Sequence, residues 1–248
     1  MLIEARHLFK SYDQNQEQTI IKDLSLQIDQ GEFLAIMGPS GCGKSTLLNL
    51  LSTIDQPDSG EILYQGQAIQ QLAGARLDQL RRREFGFVFQ EATFLKHLNI
   101  LDNICLPSLI GSSRKERQAN YQKALGLMEI TGIREIAQRQ IHQVSGGQLQ
   151  RAGICRALIN QPKLIFADEP TGALNSQASQ AAMKLISHFH QEGSSVFLVT
   201  HDARAASYAQ KVILILDGRI QKEVLFESQL DLEERQNLLR AELAAIGI

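Results

Sequence analysis

Apolar residues are distributed along this chain in distinct styles. Phe33–Met37, Phe85–Phe89, Leu164–Ala167, Val196–Thr200 and Val212–Leu216 are short unbroken runs. Runs of that length predict strands covered on both faces of a parallel sheet. Ile3–Leu8 and Ile20–Ile28 alternate instead, as half-buried strands do, and Gly60–Gly66 reads as a hairpin arm between turn residues. Asp217-Gly218 turns the chain into a last strand, Ile220–Phe226. Between Phe94 and Asn160 the period becomes helical, over Leu98–Leu109, Lys115–Met128 and Leu149–Leu158. This predicts a helical lobe, residues 92–158 in round terms, inserted between sheet strands. Glu233–Ile246 closes the chain as a helix with Leu239, Leu243 and Ile246 on one face, packed on its own domain. The expected organisation is one domain over 1–228 followed by that helix within 229–248.

Composition narrows the classes. The 248 residues suffice for one large domain or two lobes sharing a core. A formal net charge of −2 supplies no basic field of the kind nucleic acid selects. The longest apolar runs fall far short of the ~20 residues that cross a membrane. Met1-Leu2-Ile3-Glu4 lacks the basic-then-apolar start of a signal peptide. Three widely spaced cysteines, Cys42, Cys105 and Cys155, point to a reduced, cytosolic chain without a disulfide framework or metal site.

The chemistry lies at the ends of the apolar runs. Phe33–Met37 leads into Gly38-Pro39-Ser40-Gly41-Cys42-Gly43-Lys44-Ser45, and Lys44–Ser52 continues with helical spacing. Strand, glycine loop and helix in this order form a phosphate-binding loop. Its glycines let backbone N–H groups converge on phosphate, and the following helix adds its positive end. Lys44 supplies a charge to the β- and γ-phosphates, Ser45 a hydroxyl for Mg²⁺, and Thr46 completes the nucleotide-contacting set. Cys42 inside the loop reads as a filler. Leu164–Ala167 ends in Asp168-Glu169. Asp168 is thereby carried to a sheet edge where it can hold Mg²⁺ through water, and Glu169 can polarise an attacking water as general base.

Ser145-Gly146-Gly147-Gln148 precedes the helical run Leu149–Leu158. A serine hydroxyl and bare glycine amides at a helix start make a second anion site. One triphosphate rarely needs two such sites in one chain, so the economical reading gives this one to the pocket of a partner copy. Gln90, after Phe85–Phe89, can touch Mg²⁺ or the attacking water and report on the γ-phosphate. His201, after Val196–Thr200, can reach the γ-phosphate and the base. Tyr12 can stack on adenine. The remaining histidines read as surface or packing residues, and Arg81-Arg82-Arg83 as a solvated helix end.

Together these residues resemble the ATP-binding subunit of an ATP-binding-cassette transporter, from Tyr12 to about Phe226. In that family's terms Gly38–Ser45 is the Walker A loop, Gln90 the Q-loop glutamine and Ser145–Gln148 the signature. Asp168-Glu169 closes Walker B, and His201 is the switch histidine. The resemblance implies an α/β fold with a RecA-like P-loop NTPase core, mostly parallel, a small antiparallel β subdomain and the inserted helical lobe. It implies ATP and Mg²⁺ as ligands and a head-to-tail homodimer sandwiching two ATPs. It also implies a membrane permease subunit gripped by Glu91–Leu106, which sets the chain on the cytoplasmic face of a membrane. Leu50–Gly60 and Phe166–Leu174 are similar to the lipoprotein-release, macrolide-export, antimicrobial-peptide-resistance and cell-division branch. That branch implies an exporter or a mechanotransmission complex. A non-translocating scaffold of the cell-division type, or a soluble cassette acting on nucleic acid or ribosomes, are the alternatives. Val144 stands where the family usually has leucine. Asn175, ending Ala173-Leu174-Asn175, stands where it usually has aspartate, which puts tight coupling of the two sites in question.

Overall fold

The unbroken apolar runs become strands that are buried at most or all of their residues. In this computed structural model, residues 1–12, 19–91, 93–172, 174–227 and 229–247 are described. The chain begins with β1 (Ile3–Ser11), β2 (Thr19–Ile28), β3 (Phe33–Met37), α1 (Lys44–Leu51), β4 (Ser59–Tyr64) and β5 (Gln67–Ala68). It continues through α2 (Gly74–Glu84), β6 (Phe85–Val88), α3 (Ile100–Leu109), α4 (Arg114–Ile130) and α5 (Gly146–Leu158). The remainder is β7 (Leu164–Asp168), α6 (Ser176–Gln191), β8 (Ser195–Thr200), α7 (Ala203–Ala206), β9 (Lys211–Leu216), β10 (Arg219–Leu225) and α8 (Leu232–Ala245). These elements fall into two compact units, Met1–Asp78 with Ser195–Ile248, and Gln79–Ser194.

In the first unit, every residue of β3 and β8 is buried. They pair in parallel from Phe33↔Val196 to Met37↔Thr200, and β9 runs parallel on the other side of β3. The turn at Asp217-Gly218 sends β10 back antiparallel to β9. The alternating segments form a separate antiparallel sheet in the order β2-β1-β4-β5, with Ile3 opposite both Ile28 and Tyr64. Here β1 runs past the expected end at Leu8. His7 adopts φ 49 at a register shift, its N–H donates to Ser25 Oγ at 2.8 Å, and the ladder resumes beyond the bulge. Leu239 anchors α8 with no exposure, and Arg235 of α8 donates to the carbonyls of Ser207 and Ala209 after α7.

In the second unit β6 and β7 pair in parallel, Phe85↔Leu164 to Val88↔Ala167. Between them in sequence the chain is helical. Each helix starts where a side chain satisfies otherwise orphaned N–H groups. Asn99 caps α3, Ser113 caps α4 in a capping box with Glu116, Ser145 caps α5 with Gln148, and Asn175 caps α6. The α/β architecture expected from the sequence is the one observed. Helix α6 and the start of α2 are additions that the apolar pattern does not delimit, while Arg81-Arg82-Arg83 lie in the last turn of α2, the helix end expected there. Among the described residues, no helix is long and apolar enough to cross a membrane.

Candidate nucleotide site

The phosphate loop is built by close packing of main chain. Gly38 leaves β3 so near β9 that a Cβ there would stand 2.1 Å from the Ile215 carbonyl oxygen, so only glycine fits. Gly43, at φ 103, caps α1 in the left-handed region open to glycine. The helix it starts is held down by Leu47, Leu48, Leu50 and Leu51, all buried. Lys44 is 8% exposed, and its ammonium donates at 2.9 Å to the carbonyls of both Gly38 and Pro39. The cation is therefore pinned inside the loop. Cys42 is buried beside it. Burial pushes the thiol pKa up, against the opposing pull of the Lys44 charge. Ser40, Gly41 and Ser45 are exposed, while Pro39 and Thr46 are half-buried.

Tyr12 belongs to the same place. With Ile20, Gly43, Lys44, Ser45 and Thr46 it lines a shallow cavity of about 260 Å³. The residue is 62% exposed, more than the partial burial a small-sheet packing role would give. Its hydroxyl donates to Asp55 at 2.9 Å, and the Lys10 ammonium lies 5.1 Å from the ring centroid. Lys10 in turn bonds Asp55 at 3.0 Å and the Gln56 carbonyl at 2.8 Å. Partial burial works against the Asp55 carboxylate, but bonds from Lys10, Gln56 N–H and Tyr12 outweigh it and hold its pKa below the usual value. Nothing in the local pattern of residues signals this Lys10–Asp55 anchor. His201 is exposed one residue beyond β8. Because Met37 pairs with Thr200 in a parallel register, His201 and the phosphate loop leave the sheet at one end. Asp202 then caps α7.

The second unit collects Gln90, Asp168, Glu169 and the signature. Parallel pairing of Val88 with Ala167 brings Gln90 and the two carboxylates out at one strand edge. Phe89 lies outside the strand expected to include it, and its carbonyl accepts a bond from the Gln150 amide. Asp168 and Glu169 are both half-buried. Glu169 adopts φ 43, a strained conformation for a side-chain-bearing residue and one found where geometry serves function. Its carbonyl accepts from Gly172 N–H at 3.0 Å. A Cβ on Gly172 would stand 2.9 Å from Gln90 Nε2, so that glycine admits the Gln90 amide against the turn.

Ser145 and Gly146 are exposed at the tip of α5. Ser145 Oγ accepts from Gln148 N–H at 3.3 Å, and Gln148 Oε1 accepts from Ser145 N–H at 3.0 Å. Gly147 and Gln148 are half-buried behind them, and Val144 is half-buried before them. Asn175 Oδ1 accepts from Ala178 N–H at 2.9 Å, so the neutral residue performs the capping an aspartate would. Ala173 and Ala92 lie outside the described residues. The segment after Gln90 is folded around buried Asn103, whose side chain bonds Leu95, Leu98 and Asn99, leaving Leu95, Lys96 and His97 exposed. Arg156 of α5 donates to the Thr93 carbonyl and lies 4.6 Å over the Phe94 ring; burial lowers its pKa. Sequence reasoning misses Gln150 and Arg156. Among the described residues no group of three or more His, Cys, Asp or Glu could hold a metal by itself.

The family model described as ABC transporter matches residues 21–172. An uncharacterized ABC transporter ATP-binding protein of Methanocaldococcus jannaschii is 40% identical, over 88% of this chain and 97% of its own. The macrolide export ATP-binding/permease protein MacB 2 of Aeromonas hydrophila is 42% identical over 90% of this chain. The match spans only 34% of that protein, about a third of its length. Among solved structures, the dimeric post-hydrolysis state of the ATP-binding cassette MJ0796 bound to ADP and Pi superposes with a TM-score of 0.82. It is 34% identical and covers 92% of this chain and 100% of its own. A phosphate loop set by main-chain packing and a capped signature helix are thus found in a chain that belongs to the ABC transporter family, as an ATP-binding cassette and an ATPase.

Proposed function

We propose that two copies of this chain pair head to tail and hydrolyse ATP between them to drive a separate membrane permease, as an export or mechanotransmission engine. The observation that carries this reading is the tip of α5. Ser145 and Gly146 stand exposed with their backbone already capped, and a Cβ at Gly146 would meet nothing within 4 Å. Such a surface suits the phosphate of a nucleotide held by another copy. The dimeric cassette at 34% identity supports the pairing.

In this reading Lys44 and the Gly38–Thr46 main chain hold the phosphates, and Tyr12 stacks on the adenine. Ser145, Gly146, Gly147 and Gln148 complete the opposite pocket. The Ser45 hydroxyl, the Asp168 carboxylate and the Gln90 amide oxygen would be the ligands of Mg²⁺, each a hard oxygen donor of the kind that shares this ion with phosphates. When bound it neutralises charge on the phosphoryl oxygens. Glu169 orients and deprotonates the water that attacks the γ-phosphorus. The bond to the β–γ bridging oxygen breaks, and ADP and phosphate leave. His201 holds the γ-phosphate and the water in line. In this reading the exposed stretch Leu95–His97, within 91–106, contacts the permease, and the cassette works on the cytoplasmic face of a membrane.

Ser145→Arg tests the reading. It is expected to lower ATP turnover by about 10²-fold or more, the scale of losing a transition-state contact. Nucleotide binding by the single chain should stay unchanged. Loss of that binding would assign the signature to its own chain's pocket and end the proposal.

A further inference from the structure

Gln150 is a buried polar side chain, 4% exposed, in the first turns of α5. Its amide nitrogen donates to the Phe89 carbonyl at 3.1 Å and to the Pro170 carbonyl at 2.9 Å, spending both hydrogens on main chain. Phe89 precedes Gln90, and Pro170 follows Glu169. Further along the same helix, Arg156 holds the Thr93 carbonyl and covers Phe94. One helix therefore grips the Gln90 segment on both sides and the turn after Glu169, while its own first turn presents Ser145 and Gly146. Buried hydrogen bonds of this kind are stiff, because the donor has no water to exchange with.

We infer that Gln150 is a positioning residue that couples the two nucleotide sites of a dimer. A phosphate bound at the tip of α5 belongs to the opposite site, and a shift of that helix moves Phe89 and Pro170, hence Gln90 and Glu169, in its own site. The inference rests on the head-to-tail reading above. It requires the coupling to be reciprocal, since occupancy of either site biases the same helix. An amide suits this role because it is neutral and its single nitrogen reaches two carbonyls at once.

Gln150→Met keeps the side-chain length and removes both donors. In the full chain, the Hill coefficient of ATP hydrolysis should fall from its value in the unsubstituted protein, above 1, toward about 1. Affinity for Mg-ADP at a single site should stay within about twofold, because no residue touching nucleotide has changed. Arg156→Ala should move the Hill coefficient the same way by less, and it decides the matter if the Met variant does not fold. An unchanged Hill coefficient in the folded variants, even with a lower maximal rate, would show that Gln150 only supports its own loops and would overturn the inference. A Hill coefficient of about 1 in the unsubstituted protein, with a single-chain mass under Mg-ATP, would instead remove the dimer reading and this inference with it.

Discussion

In the proposed reading the phosphate loop and the helix tip at Ser145 both serve an anion, yet they are stiffened by opposite means. Around Gly38–Lys44 the geometry comes from main chain packed on main chain. Buried β3 and β9 press on Gly38, and a lysine closes the loop through two of its own carbonyls. Around Ser145–Arg156 the geometry comes from side chains: a capping box at the tip, the Gln150 amide between two loops, and an arginine over an aromatic ring. At Gly38 a surface made by backbone contact tolerates no added atom, since interiors are packed close to crystal density. One made by side-chain clamps can loosen in steps. In the proposed reading the first would hold nucleotide permanently and the second would move when a partner arrives.

The widest separation should lie between holding the nucleotide and breaking it. Glu169→Gln is expected to cut turnover about 10²–10⁴-fold, the range for loss of a general base, while ATP binding by filter or fluorescence assay persists. Next in size is the backbone-built loop. In Gly38→Ala the new methyl meets the Ile215 carbonyl, so urea denaturation should show a loss of about 1–3 kcal/mol and nucleotide binding should weaken with it. The side-chain-built tip should suffer less from losing a hydroxyl than the loop does from gaining a methyl. Ser145→Ala removes the α5 cap at a cost of about 1 kcal/mol, and single-chain ADP binding should be unchanged. If that variant lost ADP binding as Gly38→Ala does, the contrast between the two surfaces would fail.

The smallest effect is a rate. Burial raises the Cys42 pKa, so less thiolate exists at neutral pH than in a free cysteine. Alkylation should therefore be slower than for a free thiol at pH 7, should quicken as pH rises, and should slow again with Mg-ADP bound. Alkylation at the free-thiol rate would mean the loop is more open than its contacts indicate.

What is legible in the sequence is whatever depends on short-range pattern. Unbroken apolar runs mark β3, β6, β7, β8 and β9, and the carboxylates and glycines at their ends mark the chemistry. Helix α6 escapes that pattern, because Ser176-Gln177-Ala178-Ser179-Gln180 opens it without an apolar stripe, and its buried face begins only at Ala182 and Met183. β1 reads too short, since the bulge at His7 breaks the alternation while the ladder continues to Ser11. Gln150 is hidden for a deeper reason. A glutamine in a helix reads as solvent-facing, and its partners, Phe89 and Pro170, are distant in sequence and offer only backbone carbonyls that carry no residue signature. The one available hint is its position beside Ala152, Gly153 and Ile154, on the face that is buried. The Lys10–Asp55 anchor of Tyr12 is hidden likewise, two ordinary charges brought together by the pairing of β1 with β4.

The most direct test of head-to-tail pairing is the solution mass of Glu169→Gln under saturating Mg-ATP, measured by light scattering with and without Ser145→Arg added. The mass is predicted to double with ATP in the first protein and to stay single in the second. A single mass in both, or a doubled mass that ignores the arginine, would contradict the pairing.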